Sequence, residues 1–147
     1  MDIAVAGSGF VGLVHGAIMA DYDHNVQVYD IDEGRIRRIN GFCEGNNGTL
    51  PVHEKGLPAL VRKGYGEGRL TFTTDSPQAI RDSEVIFITV GTPPGEDGKA
   101  KMGAVDSVAN AIGEVMADQQ TYKLIVTKST VPVGTGAHLE ELIGKHY

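Results

Sequence analysis

The sequence predicts an α/β fold: a Rossmann-like, doubly wound parallel sheet with helices on both faces. Three observations carry this expectation. Short apolar runs alternate with longer segments of helical period along the whole chain. The first run leads directly into a glycine-rich turn. The first, fourth and fifth runs are apolar enough to be buried on both faces, as strands in the middle of a parallel sheet are.

The elements follow in order. DIAVA gives a first strand over 2–6, and the segment 10–21 behind the turn has helical period. NVQVY forms a second strand at 25–29, followed by a helix at 32–40. The glycine-rich stretch NGFCEGNNGTLP (40–51) reads as a loop and not as a domain linker, because the pattern on either side belongs to one sheet. A helix at 54–63 leads to a strand at 70–73, a helix at 76–81 and a strand at 84–89. The last elements are a helix at 104–117, a strand at 123–127 and a helix at 134–145 with Leu139, Leu142 and Ile143 on one side. Strand, helix, strand, helix argues right-handed crossovers.

Length and composition bound the function. A chain of 147 residues is the size of one domain, enough to bury roughly 70% of the surface its unfolded form exposes. Net charge is −6 and the 13 Lys and Arg are scattered, apart from Arg35, Arg37 and Arg38, so nucleic acid is not an expected partner. The N-terminus has no basic segment followed by a long apolar one, and no apolar run approaches membrane-spanning length. No membrane association is expected, and a cytoplasmic location is. The single cysteine, Cys43, excludes an internal disulfide, and five histidines without ligand spacing make a metal site unexpected.

After the first strand comes GSGFVG, with Gly7, Gly9 and Gly12 in the G-x-G-x-x-G spacing. The hexapeptide alone is a weak signal. Its setting strengthens it: it follows a buried strand, opens a helix, and a second strand ends at Asp30, 18 residues past Gly12. Gly7 permits a tight turn, Gly9 lets the backbone approach a pyrophosphate, and Gly12 lets the helix pack closely on the sheet. The start of the helix, at Phe10 and Val11, offers free N–H groups and partial positive charge. A carboxylate at Asp30 accepts the adenosine ribose hydroxyls and repels a 2′-phosphate, so NAD is expected over NADP. Arg35, Arg37 and Arg38 are the counter-argument; with Asp30 and Asp32 present, they are assigned to the adenine edge, the diphosphate or solvent.

The fourth strand ends in GTPP (91–94), and the fifth in KSTVPVGT (128–135). In a doubly wound sheet both tips lie on the carboxyl edge, across the switch point from Asp30, where the nicotinamide half reaches. Thr92, Ser129 and Thr130 are then hydroxyls beside the reactive ring. The competing assignment makes Ser129 and Thr130 helix caps, although Pro132 and Gly134 delay the helix and leave Thr135 as the better placed N-cap.

With GSGFVG, VGTPP and KSTVPVGT in this order and spacing, the chain resembles the N-terminal domain of the UDP-glucose/GDP-mannose dehydrogenase family. GRLTFTTD (68–75) and PVHEKGL (51–57) support the resemblance, which covers essentially the whole chain. KSTVPVGT lies nearer to UDP-glucose than to GDP-mannose members. The resemblance implies an NAD-binding domain over 1–147, as the N-terminal fragment of an enzyme that oxidises UDP-glucose to UDP-glucuronate in two hydride transfers to NAD. It implies a nucleotide-sugar substrate and a homodimer for the full-length protein. It also implies that the nucleophilic cysteine lies outside this chain; Cys43, in a glycine-rich loop with no nearby base, does not replace it. Carried over by position, the cofactor-binding set is Gly7, Gly9, Phe10, Val11, Gly12, Asp30, Arg35, Gly91, Thr92, Pro93, Ser129 and Thr130, with Thr130 also near the catalytic water. Departures are the long loop CEGNNGTLP, Lys55 where the family has proline, and AKMG at 100–103. A stand-alone NAD-binding regulatory module and the cofactor domain of a hydroxy-acid dehydrogenase remain as alternatives; the second does not explain KSTVPVGT.

Overall fold

In the computed structural model, which describes residues 1–146, five parallel strands form one sheet in the order β3-β2-β1-β4-β5. The strands are β1 (Asp2–Ala6), β2 (Asn25–Tyr29), β3 (Leu70–Thr73), β4 (Val85–Ile88) and β5 (Leu124–Thr127). Five helices connect them, α1 (Phe10–Asp21), α2 (Glu33–Cys43), α3 (Leu57–Gly66), α4 (Ser76–Asp82) and α5 (Gly103–Asp118), and a sixth, α6 (Thr135–Gly144), follows β5. The central strand β1 pairs with β2 on one side and β4 on the other, Ala4 facing both Gln27 and Ile86. The chain reverses its direction of travel across the sheet between β1 and β4, which opens a crevice at their carboxyl ends.

Two apolar cores follow from the alternation of side chains along the strands. Val26, Val28 and Leu70 meet α1, α2 and α3 through Leu13, Ile39 and Val61. Ile86 and Ile88 meet α4, α5 and α6 through Ile80, Ile112 and Leu139. Helix α1 lies close to the sheet because its inner face is made of small residues. A Cβ on Gly16 would come within 2.7 Å of the Val28 side chain.

The boundaries depart from the sequence expectation where proline and glycine decide them. Helix α3 begins at Leu57, three residues later than expected, because Pro58 fits only the first turn and Gly56 takes the left-handed conformation in front of it (φ 86°). Helix α2 runs on through 40–43, so the first four residues of the expected loop are helical and Cys43 is its last residue. The loop folds back so tightly that a Cβ on Gly48 would lie 1.9 Å from the Phe42 amide nitrogen. Strand β5, expected to be buried on both faces, is half exposed. It is an edge strand, with β4 on one side only.

The two edges differ. At β3 the Asn40 amide, from α2, donates to the outward carbonyl of Phe72 at 3.2 Å. At β5 the edge lies open, while the preceding Lys123 is turned inward, its ammonium donating to the carbonyls of Ser83 (2.6 Å) and Arg81 (3.1 Å) at the end of α4. Among the described residues no helix is long and apolar enough to cross a membrane.

Candidate functional site

The glycine turn joins the tip of β1 to α1 under constraint from both neighbouring strands. Gly7 has a φ of 106° and its N–H donates to the Tyr29 carbonyl at 2.8 Å, a conformation that favours glycine. A Cβ on Gly12 would sit 1.8 Å from the Gly7 carbonyl oxygen. Gly9 differs: nothing lies within 4 Å of the position its Cβ would take. Gly9 is the N-cap of α1 and supplies no side-chain cap. The first helical bond runs from the Leu13 N–H to the Gly9 carbonyl. The amides of Phe10, Val11 and Gly12 therefore point out of the helix without partners among the described residues. With no acidic side chain in the first turn, the end of α1 can hold an anion.

Asp30 stands one residue past β2 and faces this turn. One of its carboxylate oxygens, Oδ2, accepts from the Ser8 N–H (2.8 Å), the Ser8 hydroxyl (2.7 Å) and Arg35 Nη1 (3.3 Å). The other, Oδ1, accepts among the described residues from the Asp32 N–H alone, at 3.0 Å. Burial works to raise the Asp30 carboxyl, but the hydrogen bonds from Asp32 and Ser8 and the charge of Arg35 outweigh it, holding the group below its usual value. Arg35 thus rests against Asp30, with Asp32 at 3.9 Å, while Arg37 and Arg38 are exposed on α2. Beside Asp30 lies a cleft of about 160 Å³, walled by Tyr29, Ile31, Ser76, Val90, Ala104 and Val108. Its mostly apolar lining suits a flat ring.

Across the switch point, the tips of β4 and β5 are stitched together. The Ser129 hydroxyl donates to the Val90 carbonyl (2.7 Å) and the Thr92 hydroxyl to the Thr130 carbonyl (2.6 Å). Two of the three hydroxyls expected beside a reactive ring, those of Thr92 and Ser129, therefore donate to main chain. The Thr130 hydroxyl has no hydrogen-bond partner among the described residues, and its side chain is exposed. Neither Ser129 nor Thr130 caps α6, and Thr135 does not either. Gly134, at φ 91°, occupies the N-cap, and the Thr135 hydroxyl donates to the Pro132 carbonyl at 2.7 Å. The Pro132 carbonyl lies within reach of Thr135 because Gly134 turns the chain back. Gly91 and Pro93 lie in the exposed loop leading out of β4.

Two residues of this edge escaped the sequence reading. Thr89, buried at the end of β4, donates through its hydroxyl to the Ala6 carbonyl at 2.7 Å and lies 3.2 Å from the Gly7 carbonyl, fastening the glycine turn to β4. A lone hydroxyl ending the apolar run EVIFI was its signal. Ser8 carried no signal beyond its place between two glycines. Cys43 is half-buried beside the first core. Burial and the charge of Glu44 push its thiol up to about 11 against the opposing charge of Arg62, so it is a poor nucleophile.

Comparison with known proteins settles the family. The profile described as the UDP-glucose/GDP-mannose dehydrogenase family, NAD binding domain, matches residues 1–147. The chain belongs to the UDP-glucose/GDP-mannose dehydrogenase family. Among the family's members, UDP-glucose 6-dehydrogenase TuaD of Bacillus subtilis is 46% identical over 143 residues, which are 97% of this chain and 29% of that protein. A UDP-glucose dehydrogenase structure from Pyrobaculum islandicum superposes with a TM-score of 0.89 at 30% identity, covering 98% of this chain and 32% of that one. A GDP-mannose dehydrogenase of Pseudomonas aeruginosa, solved as a ternary complex, superposes with a TM-score of 0.88 at 33% identity, covering 98% and 33%. The chain thus spans less than a third of the relative TuaD and about a third of both solved members. The cofactor of the family domain is NAD.

Proposed function

We propose that this chain is the cofactor-binding part of an NAD-dependent nucleotide-sugar 6-dehydrogenase whose complete polypeptide oxidises UDP-glucose to UDP-glucuronate. The observation that carries the assignment is the pairing, at one sheet edge, of three α1 amides without partners among the described residues with the Asp30 carboxylate held against the glycine turn through Ser8. The residues present fit NAD. Gly9 leaves open the path that a diphosphate takes to the amides of Phe10, Val11 and Gly12. Asp30 would accept from the ribose, and the cleft beside it would take the adenine. Gly91, Thr92, Pro93, Ser129 and Thr130 would frame the nicotinamide end. NAD supplies the hydride acceptor when bound; the chain's own part is to hold it in place and to present Thr130 to water or substrate. The UDP-glucose assignment draws on the identity to TuaD. By the same family resemblance, the complete protein is assigned to the cytoplasm and as a homodimer, and light scattering of the full-length protein checks the dimer.

Calorimetry tests the cofactor. NAD is expected to bind more tightly than NADP. Asp30→Ala is expected to weaken NAD roughly ten- to a hundredfold, the loss of one charged hydrogen bond of about 1.5–3 kcal/mol, and to narrow the preference. Equal or tighter NADP binding by the unmutated chain would overturn the assignment. A second expectation concerns chemistry: the 147-residue chain alone should produce no NADH from UDP-glucose and NAD. Turnover that survives Cys43→Ser would show that the nucleophile has been misplaced.

A further inference from the structure

Ser8 is fully buried between the first two glycines of the turn, where the cofactor assignment gives a side chain no task. Its hydroxyl is nonetheless committed, 2.7 Å from Asp30 Oδ2, beside its own N–H at 2.8 Å. A carboxylate offers about four lone-pair sites, two on each oxygen. Among the described residues Oδ2 has three donors, Ser8 N–H, Ser8 Oγ–H and Arg35 Nη1, and Oδ1 has one, the Asp32 N–H. The free acceptor site is therefore on Oδ1. Of the donors on Oδ2, Arg35 is the longest, at 3.3 Å, and its side chain is 36% exposed. It is the one that can leave when a ribose arrives; the two from Ser8 are buried and tied to the turn itself.

We propose that Ser8 is a positioning residue for the cofactor: its hydroxyl locks the plane of the Asp30 carboxylate so that Oδ1 meets the adenosine ribose, and this lock sustains the choice of NAD over NADP. The inference rests on the assignment of Asp30 to the ribose. Without the Ser8 hydroxyl, Oδ2 keeps the Ser8 N–H and Arg35 and Oδ1 keeps the Asp32 N–H, so the carboxylate is held less tightly about its Cβ–Cγ bond and the charge that opposes a 2′-phosphate is less firmly placed. The lock also couples the two halves of the site, because Gly7 N–H to Tyr29 and Ser8 to Asp30 tie the turn to the tip of β2 at adjacent residues.

The test uses Ser8→Ala, which removes the donor and adds no volume, and Ser8→Cys, of similar shape with a weak donor, as a second variant. The first readout is the titration of the Asp30 carboxyl by carbon-detected NMR in the cofactor-free chain. The hydroxyl stabilises the ionised form, so its loss should move the Asp30 midpoint upward, with Arg35 and the Asp32 amide still in place. The second readout is calorimetry at neutral pH, where NAD affinity should fall about tenfold and the ratio of NAD to NADP affinity should shrink. Ser8→Cys should behave like Ser8→Ala in both. A role in filling space alone predicts a lower melting temperature with an unmoved Asp30 titration and an unchanged NAD to NADP ratio; that result, or Ser8→Cys matching the unmutated chain, overturns the proposal. Failure of the unmutated chain to bind NAD would remove the ribose assignment, whereas an unmoved Asp30 titration removes the Ser8 role with that assignment intact.

Discussion

Gly12→Ala is expected to damage the domain more than any other single methyl added to the glycine turn. The new carbon would lie 1.8 Å from the Gly7 carbonyl oxygen, 2.9 Å from the Gly7 carbonyl carbon and 2.5 Å from the Thr89 hydroxyl. The first two are main-chain atoms of a residue already pinned by its N–H to Tyr29, so they cannot move aside separately. Either α1 lifts off the sheet or the turn opens. Overpacking of this kind costs about 3 kcal/mol or more, a melting temperature lower by roughly 6–12 °C in a domain of this size, and cofactor binding should be lost with the turn. Gly9→Ala provides the contrast, since its methyl would meet nothing within 4 Å. That variant should melt like the unmutated chain and still bind NAD poorly, because the methyl occupies the approach of the diphosphate. Thermal melting and calorimetry on both variants separate the two. Equal melting temperatures would show that the turn adapts, and full NAD affinity in Gly9→Ala would show that the diphosphate does not cross it.

Thr130→Ala, in the complete enzyme that we propose, is expected to lower turnover a hundred- to thousandfold. Losing one hydrogen bond that acts on the transition state in a water-excluded site costs about 2.7–4 kcal/mol. The structure sharpens the expectation by removing the competing one. Thr130 is not a cap of α6, whose N-cap is Gly134, and its hydroxyl makes no hydrogen bond to a described residue. The loop is held instead by its carbonyl, which accepts from Thr92 and is untouched by the substitution. Melting temperature and NAD affinity should therefore stay close to those of the unmutated enzyme. Thr92→Val should do the reverse, loosening the loop and lowering stability before chemistry. Unchanged turnover in Thr130→Ala would withdraw any role in the reaction.

The glycine turn, Asp30 and the alternating strands were legible in the sequence because each is a local pattern: a spacing, a strand end, a period. Apolar period alone places the start of α3 three residues early, and only the joint demands of Gly56 and Pro58 move it. The burial of β5 departs from expectation for another reason. Leu124, Ile125 and Val126 look like any core run, and whether a strand is central or at an edge depends on its neighbours in space. Leu124 is 48% exposed for that reason. The partners of the hydroxyls were out of reach too: Thr92 and Thr130 are 38 residues apart, Ser129 and Val90 39. A polar tip reads as available until its neighbour is known, and here the neighbour was the next strand's carbonyl.

The unequal edges of the sheet bear on how the isolated chain behaves at high concentration. A sheet edge is a template for another strand unless something obstructs it. At β3 the Asn40 amide is that obstruction, since it occupies the Phe72 carbonyl that an incoming strand would need. At β5, Leu124 and Lys128 donate their amides to the carbonyls of Glu84, just before β4, and Ile88, at its end, so the main-chain groups of Ile125 and Thr127 point outward. No proline, glycine or charge interrupts Leu124–Thr127. Of the two flanking lysines, Lys123 is turned inward onto the end of α4, so repulsion between two approaching copies falls to Lys128 alone. Self-association of the purified chain should accordingly begin at β5, and Leu124→Lys, at a side chain 48% exposed, should suppress it more than a lysine in place of the exposed Thr71 on β3.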